Sequence, residues 1–318
     1  MPLNFDKLLA AIARHAQTLT DAGAVADYIP ALARVDPSQF GIAVAGLDGS
    51  LYCAGVAQRA FSIQSISKLF ALTLALQREG DALWQRVGRE PSGTPFNSLV
   101  LLERERGIPR NPFVNAGALV ITDVLCQRYL QPERAVLEFI HRLLGRSTVA
   151  VDAEVARSER AHSDRNSAIA HFMRSFGNLR GQVGAVLDAY CAQCAIAMSC
   201  AELAQASLFL AGDGCQPRGA RVLDPQATRR INALMLTCGA YDAAGDFAFR
   251  MGLPTKTGVG GGILAVVPGR MTICAWSPRL DATGNSIAAA AAIERFAAET
   301  GVSIFGGEAR MPDGGRTG

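Results

Sequence analysis

Lysine is nearly missing from this chain of 318 residues: of 31 basic side chains only Lys7, Lys68 and Lys256 are lysine, and the other 28 are arginine. Histidine is scarce too. Its four copies, His15, His141, His162 and His171, are scattered, which counts against a histidine metal site or a Ser/His/Asp triad. Long apolar runs are absent: the most apolar stretch, 189–201, is too short to cross a bilayer and is bounded by Asp188 and Glu202. Asp6, Lys7 and Arg14 interrupt residues 1–20, so a secretory leader is not expected. The expectation is a soluble, cytoplasmic protein without membrane partners.

Charge of one sign is lacking as well. The 31 basic residues face 28 acidic ones, for a net charge of +3, and the two signs alternate as in Glu103-Arg-Glu-Arg106. Such runs read as solvated helix faces, and no basic stripe for a nucleic acid is present. The eight cysteines lie in apolar segments (Cys53, Cys126, Cys274) and read as reduced core residues. Cys191-Ala-Gln-Cys194 has no second pair and no nearby histidine pair, so no zinc site is expected. No nucleotide-binding loop is visible, and neither a metal nor an organic cofactor is expected.

What remains is globular: 49% of residues are hydrophobic and 19% charged. Phe5, Leu8, Leu9, Ile12, Ala16 and Leu19 predict an amphipathic first helix. Short apolar runs at 40–45 and 51–56, joined through Asp48-Gly49, predict a hairpin. Helical patterns fill the middle, at 66–77, 119–129, 133–144, 184–197 and 201–210. Strand patterns return only near the end, at 253–257, 263–267 and 271–276, the last two joined through Pro268-Gly269. A last helix is expected from Ser286 to Thr300, capped by Asn285 and stopped by Gly301. The predicted class is α+β, with an antiparallel sheet made by the two ends of the chain, flanked by helices and carrying an inserted helical lobe. Residues 1–70 and 245–305 are assigned to the sheet lobe and 71–244 to the helical lobe. The Gly-rich tail 306–318 is expected to be disordered.

In a chain this rich in arginine, the two internal lysines are suspects for work a guanidinium does not do, because only an amine can give up its proton; the plain alternative is two exposed lysines left by codon drift. Lys68 closes Ser65-Ile-Ser-Lys68 at the start of a predicted helix, where a spacing of three puts both side chains on one face. A serine hydroxyl attacks only when a base takes its proton. A desolvated lysine beside a helix N-terminus is such a base. Serine and lysine at this spacing also arise on ordinary exposed helices, so the pair alone decides nothing. Lys256 opens Lys256-Thr-Gly258 on a late strand, and an early Ser-x-x-Lys with a late Lys-Thr-Gly is the signature of penicillin-recognising enzymes. The plain alternative is a Gly-rich hairpin turn.

Further stretches narrow the resemblance. They are 27–30 (Asp-Tyr-Ile-Pro), 64–68 (Gln-Ser-Ile-Ser-Lys), 90–93 (Glu-Pro-Ser-Gly) and 111–118 (Asn-Pro-Phe-Val-Asn-Ala-Gly-Ala). They continue with 158–160 (Ser-Glu-Arg), 164–166 (Asp-Arg-Asn), 187–190 (Leu-Asp-Ala-Tyr), 238–242 (Cys-Gly-Ala-Tyr-Asp), 256–262 (Lys-Thr-Gly-Val-Gly-Gly-Gly) and 276–278 (Trp-Ser-Pro). As an ordered set from about residue 25 to 287, the chain resembles the serine-dependent glutaminases, a family with a β-lactamase-like fold. The resemblance implies hydrolysis of L-glutamine to L-glutamate and ammonia, with Ser65 as nucleophile and Lys68 as base. It implies substrate contacts at Tyr28, Ser65, Asn115, Glu159, Asn166, Tyr190, Tyr241 and Val259, no cofactor, and a homo-oligomer, dimer or tetramer.

These roles meet a physical need, since free glutamine presents an ammonium, a carboxylate and a carboxamide. Glu159 is the counter-charge for the ammonium; Asn115, Asn166 and Tyr190 suit the carboxylate. The Ser65 and Val259 amides hold the oxyanion. Tyr241 is a proton relay whose phenol the Lys256 charge is expected to lower, and which of Lys68 and Tyr241 takes the first proton is left open. Each residue has an ordinary alternative: Tyr28 and Tyr190 as part-buried tyrosines, Asn115 as a helix cap, Glu159 paired with Arg160 at the surface. Cys238 is a rival nucleophile without a neighbouring histidine. Two other functions compete, a β-lactam or peptide hydrolase of the same fold and a non-catalytic glutamine sensor. Retention of both internal lysines with Ser65 argues against the sensor.

Overall fold

The computed structural model describes residues 3–93 and 99–306. Helix α1 (Phe5–Gln17) buries Phe5, Leu8, Leu9, Ile12 and Ala16 along one face, and Asn4 Oδ1 caps it by accepting from the Lys7 amide. Strands β1 (Gly41–Gly46) and β2 (Leu51–Gly55) form the expected hairpin. Asp48 Oδ1 accepts from the Ser50 amide at 3.0 Å, and Gly49 takes φ +90°, which closes the turn. Strand β3 (Phe61–Ser62) leads through a 3-10 turn, Gln64–Ile66, into α2 (Ser67–Glu79), which is buried without a break from Ser67 to Leu76.

The middle of the chain carries α3 (Val100–Arg104), α4 (Asn115–Arg128), α5 (Pro132–Leu144), β4 (Ala150–Val151), α6 (Ala153–Ala161), α7 (Asp164–Ser175) and α8 (Val183–Cys194). Then come β5 (Ile196–Met198), α9 (Cys200–Ala206), α10 (Leu208–Ala211), α11 (Pro225–Cys238) and α12 (Ala244–Met251). Strands β6 (Thr255–Thr257), β7 (Gly262–Val267) and β8 (Met271–Trp276) and helix α13 (Ile287–Thr300) close the chain.

The main sheet is antiparallel in the order β2-β1-β8-β7-β6, so the two chain ends meet where β1 pairs with β8, Ala43 opposite Cys274. Alternation of side chains sends Ile42, Val44, Ile263, Ile273 and Ala275 to one face, against α1, α12 and α13. Ala43, Ala45, Leu264, Cys274 and Trp276 go to the other, into the core shared with α2 and α9. Helices cover both faces, which is why β1, β7 and β8 read as continuous apolar runs and not as alternating ones. The α+β architecture with an end-to-end sheet is as expected.

Three expectations change. Strands also occur in the middle: β3, β5 and β4 form a second antiparallel sheet, with Ser62 and Ala150 both opposite Ala197. Two- and three-residue strands fall below what periodicity can separate from a helix end, so the helix expected to reach 197 stops at Cys194. The helix expected over 201–210 breaks at Ser207 into α9 and α10, and α9 starts on a capping box of Ser199 and Glu202. Ser286, not Asn285, caps α13, because its hydroxyl accepts from the Ala289 amide while Asn285 Nδ2 turns to Thr283 Oγ1 and the Ala240 carbonyl. Gly301, at φ +70°, ends that helix as expected. Beyond Gly306 the predicted disordered tail lies outside the described residues. All eight cysteines are free, and no helix among the described residues is long and apolar enough to cross a membrane.

The two sheets are joined by Phe61 of β3 and Trp276 of β8, whose rings stack with centroids 4.9 Å apart and planes within 5°. Trp276 is fully buried, and its Nε1 donates to the Gly260 carbonyl at 2.8 Å. Trp276→Ala is expected to cost about 3–5 kcal/mol. A lower urea midpoint with an unchanged m-value is the result that checks it.

Candidate functional site

Ser65 lies on the 3-10 turn between β3 and α2, held from one side by the Ile63 amide donating to the Ile196 carbonyl at 2.9 Å. The residue before it, Gln64, takes φ +47°, a left-handed conformation that costs a non-glycine residue about 1–3 kcal/mol. Ser65 is nearly buried, and its side chain is hydrogen-bonded with Tyr241. Lys68 follows in the first turn of α2 and is wholly inside the protein. Its Nζ donates to the Phe113 carbonyl at 3.1 Å and to Asn115 Oδ1 at 2.7 Å; neither bond goes to Ser65. Burial pushes its ammonium down from 10.5 to about 8, against smaller opposing effects of Cys194 and Glu159.

The loop after β6 closes over this turn, and it can do so because it is glycine. A Cβ on Gly258 would stand 2.6 Å from the Ile63 carbonyl oxygen and 3.3 Å from the Ser65 nitrogen. One on Gly260 would meet the Ser62 carbonyl oxygen at 2.1 Å. Val259, between them, is brought to the same wall as Ser65. Lys256 on β6 has no exposed surface, and its Nζ donates to the carbonyls of Gly239 (3.0 Å) and Thr257 (2.6 Å). That ties the 239–241 turn, where Tyr241 takes φ +54°, to the strand. The expected lowering of the Tyr241 phenol does not occur: burial pushes it up to about 12. Burial, and secondarily Lys68, also hold the Lys256 ammonium well below its ordinary range. Lys256 Nζ stands 5.0 Å from the Tyr241 ring centre.

The remaining sequence-predicted residues converge on one cavity of about 190 Å³, lined by Tyr28, Ser65, Asn115, Glu159, Asn166, Tyr190 and Val259 together with Ile29, Gln64, His162 and Arg165. Asn115 begins α4, yet its side chain caps nothing. Its Oδ1 takes the Lys68 amine and the Tyr190 hydroxyl (3.5 Å), and its Nδ2 donates to Asn166 Oδ1 at 2.9 Å. Glu159 on α6 is buried and accepts from Gln64 Nε2 at 3.2 Å. Desolvation raises its carboxyl to about 7, opposed by hydrogen bonds from Gln64 and Cys194 and by the Lys68 charge. The surface pairing with Arg160 is not made, because Arg160 Nε turns to Asp188 Oδ1 at 2.7 Å. Tyr28 stands half-exposed at the mouth.

Lys68, Lys256 and Tyr241 are not part of this lining. Tyr241 instead lines a neighbouring cavity of about 370 Å³ with Asn111, Phe113, Thr237, Cys238 and Asp242. The role of Gln64 was missed in the sequence, although it stands inside the motif 64–68. So was that of the Phe113 carbonyl, which no side-chain pattern announces. Among the described residues no group of three or more His, Cys, Asp or Glu is placed to hold a metal. The arrangement places the Ser65 hydroxyl and the Glu159 carboxyl on the wall of one small cavity, with the Lys68 amine buried behind it against Asn115, one of the lining residues.

A family model described as Glutaminase matches residues 23–305. The chain is 57% identical over 304 residues to the glutaminase of Paraburkholderia phytofirmans, covering 95% of this chain and 100% of that one. It is 55% identical over 304 residues to the glutaminase of Streptomyces coelicolor, covering 96% and 99%. Among solved structures it is similar to a Bacillus glutaminase, with 32% identity and a TM-score of 0.87 over 95% of this chain and 100% of that one. It is also similar to Mglu in its glutamate form, with 37% identity and a TM-score of 0.90 over 97% and 71%. The shared architecture is the β-lactamase-like fold expected from the sequence.

The buried amine also sets a sign for stability. Folded, Lys68 loses its proton near pH 8; unfolded, it keeps it to about 10.5. Between these values the unfolded chain binds more protons, so this group makes stability rise with pH across that window. Lys68→Met is expected to flatten that rise. Urea unfolding of both proteins at pH 7, 8.5 and 10 checks it, and parallel curves would remove the assignment.

Proposed function

Because the chain belongs to the glutaminase family, we propose that it hydrolyses L-glutamine to L-glutamate and ammonia through an acyl-enzyme on Ser65 Oγ. The observation that carries this reading is the buried Lys68 amine. A neutral amine has two N–H bonds and one lone pair. The Phe113 carbonyl and Asn115 Oδ1 match the two N–H bonds, which leaves the lone pair to take a proton. Tyr241, hydrogen-bonded with Ser65 and pushed up to about 12, cannot wait as a phenolate. It passes a proton between Ser65 and Lys68 while keeping its own charge neutral.

In this reading the Ser65 oxygen attacks the side-chain amide carbon as its proton moves towards Lys68. The amides of Ser65 and Val259 receive the oxyanion, each such donor being worth about a hundredfold or more in turnover. The proton then goes to the leaving nitrogen, ammonia departs, and water, deprotonated by the same base, releases glutamate. Glu159 takes the α-ammonium. Asn166, oriented by Asn115, and Tyr190 take the α-carboxylate, and Tyr28 covers the mouth. A solved relative with 37% identity is described in its glutamate form, which supports a pocket shaped for this product. The same reading takes 1–70 with 245–305 as the sheet lobe and 71–244 as the helical lobe.

Purified protein is expected to release ammonia and glutamate from glutamine, and Ser65→Ala to lower the rate at least about a thousandfold. Absence of glutamate from well-folded protein, or hydrolysis of a chromogenic β-lactam in its place, would remove the reading. On the acid side kcat/KM is expected to rise as Glu159 ionises (about 7) and Lys68 loses its proton (about 8). The two apparent values belong to the interacting pair. A rate that is flat from pH 6 to 9 contradicts both roles.

A further inference from the structure

Gln64 is buried, strained and immediately upstream of the proposed nucleophile, yet its side chain turns away from Ser65 towards other protein groups. Its Nε2 donates to Ser62 Oγ at 3.0 Å and to Glu159 Oε2 at 3.2 Å, using both N–H bonds. Ser62 Oγ donates onward to the Cys194 carbonyl at 2.9 Å. The backbone repeats the link: Ser62 on β3 and Ala150 on β4, the strand that leads into α6 and Glu159, both face Ala197 of β5. A run of hydrogen bonds thus joins the nucleophile's turn, the end of α8 and the carboxylate on α6.

We propose that Ser62 and Gln64 are positioning residues that fix Glu159 relative to Ser65, so that the site accepts a free α-amino acid with its amide at glutamine's reach. The inference rests on the glutaminase reading above, and it assigns these two residues an action on Glu159 and not on the reacting atoms. Without Gln64 the carboxylate loses a hydrogen bond to its charged form. It would then bind the α-ammonium less well and ionise at higher pH. The other groups acting on Glu159 are Lys68 from α2, Tyr190, Cys191 and Cys194 from α8, and Tyr28 and Tyr241 from the loops. Of these, burial holds the thiols and phenols protonated through neutrality, which leaves Lys68 as the one titrating partner there. His162 and Arg165 line the same cavity.

The test is steady-state kinetics of the full chain with glutamine, from pH 5.5 to 9, for Gln64→Gly, Ser62→Ala and Ser62→Thr. Gln64→Gly relieves the left-handed backbone, so its thermal midpoint is expected not to fall. Its KM is expected to rise about tenfold and the acid limb of kcat/KM to move up by about half a pH unit. Ser62→Ala is expected to give the same pattern more weakly, and Ser62→Thr, which keeps the hydroxyl, to restore KM. An unchanged KM and acid limb in Gln64→Gly would overturn the proposal while glutamine turnover still supports the function. A fall in kcat at constant KM would overturn it as well. Loss of the function itself is read separately, from Ser65→Ala.

Discussion

A lysine amine sealed inside the protein is the constraint to which the rest of this structure answers. Taking an ammonium out of water is costly, and here no carboxylate stands in hydrogen-bond contact to compensate. Two neutral acceptors, a main-chain carbonyl and an asparagine oxygen, are enough for an amine that gives up its proton near neutrality. Each acceptor must itself be fixed. Phe113 is held by Asn111 Oδ1, which accepts from the Phe113 and Val114 amides, and Asn115 is held by Asn166 and Tyr190. Helices α4 and α8 pack on α2, and α7 packs on α4 and α8, which brings these side chains together.

The second internal lysine, Lys256, is buried as fully as the first. Its environment is different: two carbonyls and the faces of Phe113 and Tyr241, with Nζ 5.5 and 5.0 Å from the ring centres. It fastens a turn that has a non-glycine residue at positive φ to the edge of the main sheet. The two lysines thus sit in separate surroundings, one bonded to the start of α4 and the carbonyl just before it, the other bonded to the 239–241 turn and its own strand.

Much of this was legible in the sequence because it was written in local patterns. The hairpin around Asp48-Gly49 and the amphipathic α1 come from spacing alone. The pairing of 64–68 with 256–258 singles out Ser65, Lys68 and Lys256 as candidates from sequence alone, and all three are buried in the fold. What spacing could not convey was distance-dependent chemistry. Lys68 was expected to face Ser65 directly, whereas its bonds run to a segment 45 and 47 residues away. The small sheet β3-β5-β4 was illegible because strands of two or three residues carry no period. Its effect is nevertheless large, since it sets Ser62 opposite the residue that also faces β4. Gln64 escaped notice for a related reason: a glutamine beside a serine has no signature until its backbone dihedral is known.

The scarcity of lysine leaves a mark on the outside of the molecule too. Every ion pair among the described residues uses arginine. Lys7, on the exposed side of α1, is the one lysine side chain that meets solvent there. Acylating dyes and aldehyde supports, which need an accessible amine, therefore find a single side-chain handle. It stands on the helix layer that also holds α12 and α13, across the main sheet from α2. A surface coupled through it would hold the molecules by the α1 side, with the Ser65 turn and α2 beyond the main sheet.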